Sequence, residues 1–379
     1  MTVIEIVFWV TVALLVYTHA GYPLVLRALV ALRGECRSGP PVAHGDAELP
    51  QVSLVIAAHD EERVIEPKVK NALELDYPRE RLELIVVSDG SADATAERAR
   101  SAGADVVLEL ARGGKVTALN TAVKRSRGEL LAFSDANSLW EPDALRCLVA
   151  RFNDPLVGYV CGHVSFEAPD GDNQEGLYWR YEMAVRELES RLAGVTGGNG
   201  AINAVRRDAY VFLPSERGQD ITFPFRMVKL GHRPVYEPRA RARERMAATI
   251  GDEFGRKRRM MAGAWGTMLT GGMLSPRGYG PLYAFEILSH RLLRYASPLL
   301  HLLAFAANLA LLGEGPVYAV TLTAQLALFV AAALAPLMPL APLRVARYYV
   351  ATIAASAAGL WDFLRGGVPV IWEKAEGTR

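Results

Sequence analysis

Charge is missing from two long stretches of this 379-residue chain and crowded into the interval between them. Residues 6–26 contain no Lys, Arg, Asp or Glu, and between Arg294 and Arg344 the only such residue is Glu314. Runs of that length without charge suit the hydrocarbon of a bilayer, where an ionised side chain is costly. The charged interval then reads as a water-soluble domain held between two lipid-soluble ends. Within the whole chain, 42 Lys+Arg face 41 Asp+Glu, so no basic excess attracts nucleic acid and none is expected as a partner. Cys36, Cys147 and Cys161 have no close spacing and are expected as reduced structural thiols.

The first apolar run, Ile6–Leu26, is long enough for one spanning helix, with Trp9 and Tyr22 near the interfaces. A cleaved signal peptide is the competing reading, but it would carry basic residues before the run, where only Glu5 stands. Arg27, Arg33 and Arg37 follow it, which places the next domain in the cytoplasm. The division expected is an anchor over 1–32, a linker over 33–50 and a cytoplasmic domain over 51–275. Beyond these come an interfacial amphipathic helix over 276–294, or one packed on the soluble domain, and a transmembrane pair over 295–343 split at Gly313-Glu314-Gly315-Pro316. The remainder, 344–379, holds Tyr348–Trp361, read as interfacial, re-entrant or spanning, and a tail. Lys257 and Arg258 are expected to meet lipid headgroups. The location implied is the inner (plasma) membrane, multi-pass, with membrane lipids as partners.

In the charged interval, Val/Ile/Leu-rich runs recur at Val52–Ala58, Leu82–Ser88, Ala104–Leu110 and Leu130–Ser134. Helix-compatible segments separate them at Glu61–Leu75, Ala92–Ala102 and Lys115–Arg125. Such alternation predicts an α/β fold with a Rossmann-like, mainly parallel sheet covered on both faces. Ligands of such sheets lie beyond the carboxyl ends of the strands. The polar residues there are His59-Asp60-Glu61, Asp89-Gly90-Ser91 and Asp135-Ala136-Asn137. A dinucleotide enzyme would show Gly-x-Gly-x-x-Gly after the first strand, and Ala57-Ala58-His59-Asp60-Glu61 has no glycine.

The order of these segments resembles the membrane-integrated members of glycosyltransferase family 2, the family of cellulose, hyaluronan and poly-N-acetylglucosamine synthases. The resemblance runs from about Val52 to Gly263 and implies a GT-A-type fold. Val55–Glu62 is similar to the family's opening strand and nucleotide-binding turn, which implicates Ala57, His59 and Glu61 in holding a nucleotide-diphosphate sugar. Val86–Asp93 resembles the Asp-Asp-Gly-Ser-x-Asp element and makes Asp89 the partner of a uracil-type base. Gly114–Asn120 looks like the Gly-Lys-x-x-Ala-Leu-Asn segment, with Lys115 near the nucleotide. Asp135-Ala136-Asn137 sits where the family keeps its Asp-x-Asp metal motif, so Asp135 and Asn137 would hold Mg2+ or Mn2+. Gly198, Asn199 and Gly200 resemble the glycine-rich acceptor-side turn, and Gln219-Asp220 the pair whose second member is the base. Arg259 falls where an arginine contacts the diphosphate.

The resemblance implies an inverting single displacement from a UDP-sugar to a glycan or lipid-linked acceptor, with Asp220 taking the acceptor proton. Asp220 precedes an apolar helix-like run and also has the residue type of a helix cap. Four departures bear on the implied activity: Asn137 for the second aspartate, Met260 for a stacking tryptophan, Gln219 for an acid and Ser88 for an aspartate. They speak against a long polymer made through this chain's own channel. A polyprenyl-phosphate glycosyltransferase and a catalytically silent nucleotide-sugar-binding subunit are the alternatives.

Overall fold

The computed structural model describes residues 1–34, 49–167, 175–245, 250–338 and 340–366. Most of the expected linker and the C-terminal tail lie outside the described residues. The chain begins with helices α1 (Val3–Val16) and α2 (Tyr22–Arg33), joined by a π-helical turn. The globular part runs β1 (Val52–Ala58), α3 (Ile65–Leu73), β2 (Leu82–Asp89), α4 (Thr95–Ser101), β3 (Val106–Leu110), α5 (Lys115–Arg125) and β4 (Leu130–Asp135). It continues with β5 (Leu139–Trp140), α6 (Ala144–Ala150), β6 (Val157–Glu167), α7 (Glu175–Leu192), β7 (Asn203–Arg206), α8 (Gln219–Lys229), β8 (Arg233–Arg245) and α9 (Ile250–Leu269). A second helical group follows: α10 (Pro281–Glu286), a π-helical turn, α11 (Leu293–Tyr295), α12 (Ser297–Ala310), α13 (Pro316–Leu334) and α14 (Ala341–Gly366).

One eight-stranded sheet organises the globular part, in the order β3-β2-β1-β4-β7-β6-β8-β5. The first four strands in that order are parallel, as their apolar runs predict. β1 is buried along its whole length. Its Val52, Leu54, Ile56 and Ala58 pack toward Ile65, Val69 and Ala72 of α3, while Val55 and Ala57 pack toward α5. The period of two thus fills a core on each face. The other half adds short antiparallel pairings to the expected, mainly parallel sheet. β7 is antiparallel to both neighbours, β6 and β8 are parallel, and β5 is antiparallel to β8, so the sheet is mixed.

The 31 residues Val3–Arg33 form one helical stretch of about 46 Å, longer than the roughly 30 Å of bilayer hydrocarbon. One face of its far end docks on the globular part: Tyr22, Leu26 and Val30 pack against Val185, Leu188 and Leu192 of α7. Among the described residues this stretch and α13 are the helices long and apolar enough to cross a membrane. Pro281–Tyr295 with Ser297–Ala310, bent by 61°, makes a third if the pair is one span. Phe8 of α1 packs with Ala307, Leu311 and Tyr318, so the apolar ends associate with each other.

The segment 281–295 turns its polar side inward. Glu286, His290 and Arg291 are buried while Leu288 is half exposed. His290 pairs with Glu189 of α7 at 2.6 Å, and Arg294 pairs with Glu182. The amphipathicity that suggests a helix lying on a leaflet therefore also docks this segment on the globular domain.

α14 lies along α9. Arg258 makes two bonds to Asp362, at 2.6 and 2.7 Å, and Lys257 bonds Thr352 at 3.1 Å and stands over the Tyr348 ring. These two basic residues meet α14 where lipid headgroups were expected. The two helices touch closely at Gly359, where an added Cβ would come within 2.6 Å of Met261 Cβ and 2.8 Å of Arg258 O. Gly359→Leu is therefore expected to cost about 1–3 kcal/mol by overpacking, read as a lower melting temperature and faster proteolysis after α13. Unchanged stability would show that the α9–α14 contact is not a packed one.

Candidate functional site

Three loops meet at the carboxyl edge of the parallel strands because of the register. Ala57 of β1 stands opposite Asp135 of β4, and Ala58 opposite Ser88 of β2. The turn after β1 is tied to the turn after β2 by Asp60 N–H donating to Ser91 Oγ at 3.0 Å and Ala92 N–H donating to Asp60 Oδ1 at 2.7 Å. Asp60 adopts φ 49°, a left-handed conformation that the cross-link holds. His59 is buried and its Nδ1 lies 2.8 Å from the Asp89 carbonyl, the distance of a donated hydrogen bond. Glu61 is buried under the same turn, with its N–H bonded to Thr95 Oγ1 at 2.7 Å.

Asp89 is almost fully buried, and its carboxylate accepts the N–H groups of Gly113 and Gly114 at 2.7 and 2.9 Å. Those amides open α5, whose N-cap Gly114 has φ 88° and whose first residue is Lys115. Asp89 therefore aims Lys115. The Lys115 ammonium forms an ion pair with Asp135. Burial alone would lower the Lys115 pKa, but Asp135 and Asp220 hold it above the ordinary value.

Asp220 lies in the first turn of α8, and the N-cap is Gly218, so Asp220 is not the capping residue its sequence context allows. Burial pushes its carboxyl pKa up, Asp135 adds to the rise, and Lys115 opposes it. The Asp220 carbonyl accepts the Gly198 N–H at 2.6 Å, which binds α8 to the glycine-rich loop. In that loop Asn199 is structural: its amide bonds Gly162 O and Ile202 N–H, both at 2.9 Å. Gly198 has no room for a side chain beside the Tyr159 hydroxyl, and Gly197 none beside the Arg291 guanidinium. Arg186 donates to Gly198 O at 3.1 Å.

Gly200 marks the centre. A Cβ placed on it would lie 2.8 Å from Lys115 Nζ, 3.3 Å from Asp135 Oδ2 and 3.4 Å from Asp220 Oδ1. An ammonium and two carboxylates from α5, β4 and α8 thus face one small space that only a glycine leaves open. Asn137 is half-buried in the turn after Asp135. Arg259 sits half-buried on α9, and no described contact joins it to this trio. One turn earlier, Arg256 is the α9 residue whose charge acts on a nearby carboxyl, that of Glu244.

Among the described residues no group of three or more His, Cys, Asp or Glu makes a metal cage. One carboxylate, Asp135, with one amide, Asn137, suits a hard cation that shares its shell with phosphate oxygens and water. The open space over Gly200, walled by Asp135 Oδ2, is consistent with that use.

Two charged residues near Asp135 escaped sequence reading. Lys68 is fully buried on α3, with Nζ 5.1 Å from the centre of the Trp140 ring. Glu244 lies on β8. Both carry a visible signal. Lys68 falls in the buried stripe Ile65, Lys68, Val69, Ala72, and Glu244 shares the inward register of Ala240 and Ala242.

Gly200→Ala tests the convergence. The atoms its Cβ would meet are ends of side chains, which can yield, so the fold is expected to survive. Affinity for a nucleoside diphosphate with Mn2+, measured by isothermal titration, should fall at least about tenfold. Unchanged affinity would mean that ligand does not occupy this space.

Residues 53–212 match the family model described as glycosyl transferase family 2. Over 214 residues the chain is 35% identical to a beta-monoglucosyldiacylglycerol synthase of Synechocystis sp., covering 53% of this chain and 43% of that protein. It is 25% identical over 216 residues to the poly-beta-1,6-N-acetyl-D-glucosamine synthase of Staphylococcus aureus, covering 54% and 52%. The chain thus spans about half the length of these curated relatives. A mannosyltransferase of Pyrobaculum calidifontis, solved with GDP-Man and Mn2+, matches in fold over 95% of this chain and 99% of its own, with TM-score 0.72 and 24% identity. The fold is a GT-A-like mixed sheet, and residues 53–212 on it are similar to the glycosyl transferase family 2 model.

Proposed function

We propose that the chain is a membrane-bound, inverting glycosyltransferase that moves a sugar from a nucleoside diphosphate, UDP first among the donors, to a glycan or lipid-linked acceptor. The observation that carries this reading is the meeting of Lys115, Asp135 and Asp220 over Gly200. Sugar transfer needs a base for the acceptor hydroxyl and positive charge for the departing diphosphate, and that space offers both signs. The relatives' printed names, a glycolipid synthase and a polysaccharide synthase, support the acceptor classes.

In this reading Asp220 takes the proton of the acceptor hydroxyl, and its burial makes it a stronger base than an exposed aspartate. Lys115 meets the diphosphate, and the β1 and β2 turns with Ala57, His59, Glu61 and Asp89 hold the nucleotide. Asp135 and Asn137 would hold Mg2+ or Mn2+, which supplies positive charge at the leaving group. Arg259 on α9 is the further cation assigned to the diphosphate. Gly198, Asn199 and Gly200 shape the acceptor side. The apolar ends keep the domain at the inner membrane as a multi-pass protein, and Arg27 and Arg33 after the first span favour the cytoplasmic face. The silent-subunit alternative loses ground to the joint placement of base and cation, which a scaffold does not require.

Asp220→Asn is expected to lower transfer by about 10^3-fold while donor affinity stays within about twofold of wild type. Titration calorimetry beside transfer of a radiolabelled sugar separates the two, and wild-type turnover would remove Asp220 from the role. The same variant bears on stability. A carboxyl whose folded pKa is raised costs the fold stability once pH exceeds that pKa, so Asp220→Asn should melt higher at neutral pH. Activity carried by Asp220 is lost as pH falls through the same raised pKa. The acid limb of kcat/KM therefore lies above the range of an ordinary aspartate. A limb at or below that range would contradict the assignment.

A further inference from the structure

The interior of α8 holds a proline. Pro224 stands four residues after Asp220, and a proline has no N–H to donate to the carbonyl of residue i−4. That carbonyl belongs to Asp220. The helix leaves it open, and the glycine-rich loop supplies the missing donor: Gly198 N–H reaches Asp220 O at 2.6 Å. The other backbone group of Gly198 is held as well, its carbonyl accepting from Arg186 at 3.1 Å. Arg186 is 7% exposed on α7, and its guanidinium stands 5.9 Å from the Trp179 ring centre and 6.0 Å from that of Tyr236, within cation–π reach. Beside Gly198 the Tyr159 hydroxyl leaves no room for a side chain, and the Tyr159 ring stacks on Phe223 of α8 with centroids 6.2 Å apart. Two residues further along, a Cβ on Gly200 would lie 3.4 Å from Asp220 Oδ1. One short loop thus anchors the backbone of Asp220 at Gly198 and borders its carboxylate at Gly200.

We propose that Pro224 and Arg186 are positioning residues for the transfer step, acting from the two sides of Gly198 to set where the Asp220 carboxylate stands relative to the space over Gly200. The inference rests on the reading of Asp220 as the base given above. Pro224 acts through what it lacks. An N–H at position 224 would compete for Asp220 O, and the loop would lose its anchor on α8. Arg186 acts through its reach from α7, holding the Gly198 carbonyl so that the N–H of the same residue keeps its direction toward Asp220. Both anchors are buried, so leaving either group of Gly198 unmade is costly and the loop has one favoured place. A displacement of about 1 Å between reacting groups can cost about a hundredfold in rate, which makes such anchors matter to a base and little to the nucleotide.

The test is release of labelled sugar by the purified full chain in detergent, from whichever UDP-, GDP- or dTDP-sugar wild type cleaves. Calorimetric titration of the matching nucleoside diphosphate with Mn2+ runs beside it. Pro224→Ala and Arg186→Met are each expected to lower kcat about tenfold and to leave nucleotide affinity within about twofold of wild type. In an Asp220→Asn background neither is expected to lower kcat further, because each acts only through Asp220. Arg186→Lys, which can still donate to Gly198 O, is expected to stay within about threefold of wild type. Loss of packing alone would lower affinity too, and would persist beside Asp220→Asn. If Arg186→Met does not fold, Pro224→Ala carries the test, since alanine is the far stronger helix former. Unchanged kcat in Pro224→Ala, or the same loss in the Asp220→Asn background, overturns this inference and leaves the proposed function standing. Wild-type turnover by Asp220→Asn removes the base assignment and this inference together. A wild type that cleaves no donor removes the proposed function as well.

Discussion

The Lys115 ammonium, held by Asp135 and facing Asp220, is the interaction around which the domain is arranged. Each of these residues comes from a different layer: a helix start, a strand end and a helix first turn. None could be placed by local structure alone. Asp89 receives the amides of Gly113 and Gly114 and so fixes where α5 begins. Gly198 N–H reaches the Asp220 carbonyl and so fixes α8 against the glycine-rich loop. A buried amide left without its acceptor costs about 1–3 kcal/mol, and the same bonds that satisfy these groups bring the charges together.

The N-terminal helical stretch and the 281–295 segment bear on this centre through a second polar network. Tyr22 of α2 donates to Glu189 of α7 at 2.7 Å, and Glu189 also accepts from Thr196 N–H at 3.1 Å. Arg291 donates through Nε to Thr196 Oγ1 at 2.9 Å, and Tyr283 donates to Val195 O at 3.1 Å. Val195 and Thr196 lead directly into Gly197–Gly200. The first helix and the 281–295 segment thus hold the entrance of the loop that Gly200 ends. This gives a physical reason for the apolar helices to be part of the fold and not a tether.

Legibility in the sequence follows what each residue is surrounded by. β1, β2 and β4 read clearly because both faces are buried, which leaves uninterrupted apolar runs. β8 was missed because its outward residues Arg241 and Arg243 are exposed and charged, and β7 because four residues give no period. The antiparallel pairings of β5 and β7 were hidden for the same reason. α3 starts at Ile65 and not at Glu61, since residues 61–64 form the turn that faces the site. Lys115, Asp135, Asp220 and Gly200 were named from motif order, and the structure brings them together; Arg259 was named the same way, and no described contact joins it to them. Lys257 and Arg258 also have partners within the chain, Thr352 and Asp362, which lie about a hundred residues further on, beyond the reach of any local pattern.

The central claim is that the space over Gly200 receives the diphosphate end of a sugar nucleotide. The most direct measurement is release of nucleoside diphosphate by the purified full chain from a panel of UDP-, GDP- and dTDP-sugars. The account predicts slow hydrolysis confined to one nucleotide class without acceptor, and abolished by Asp135→Ala. No release from any donor, or equal release by the Asp135→Ala protein, would contradict it.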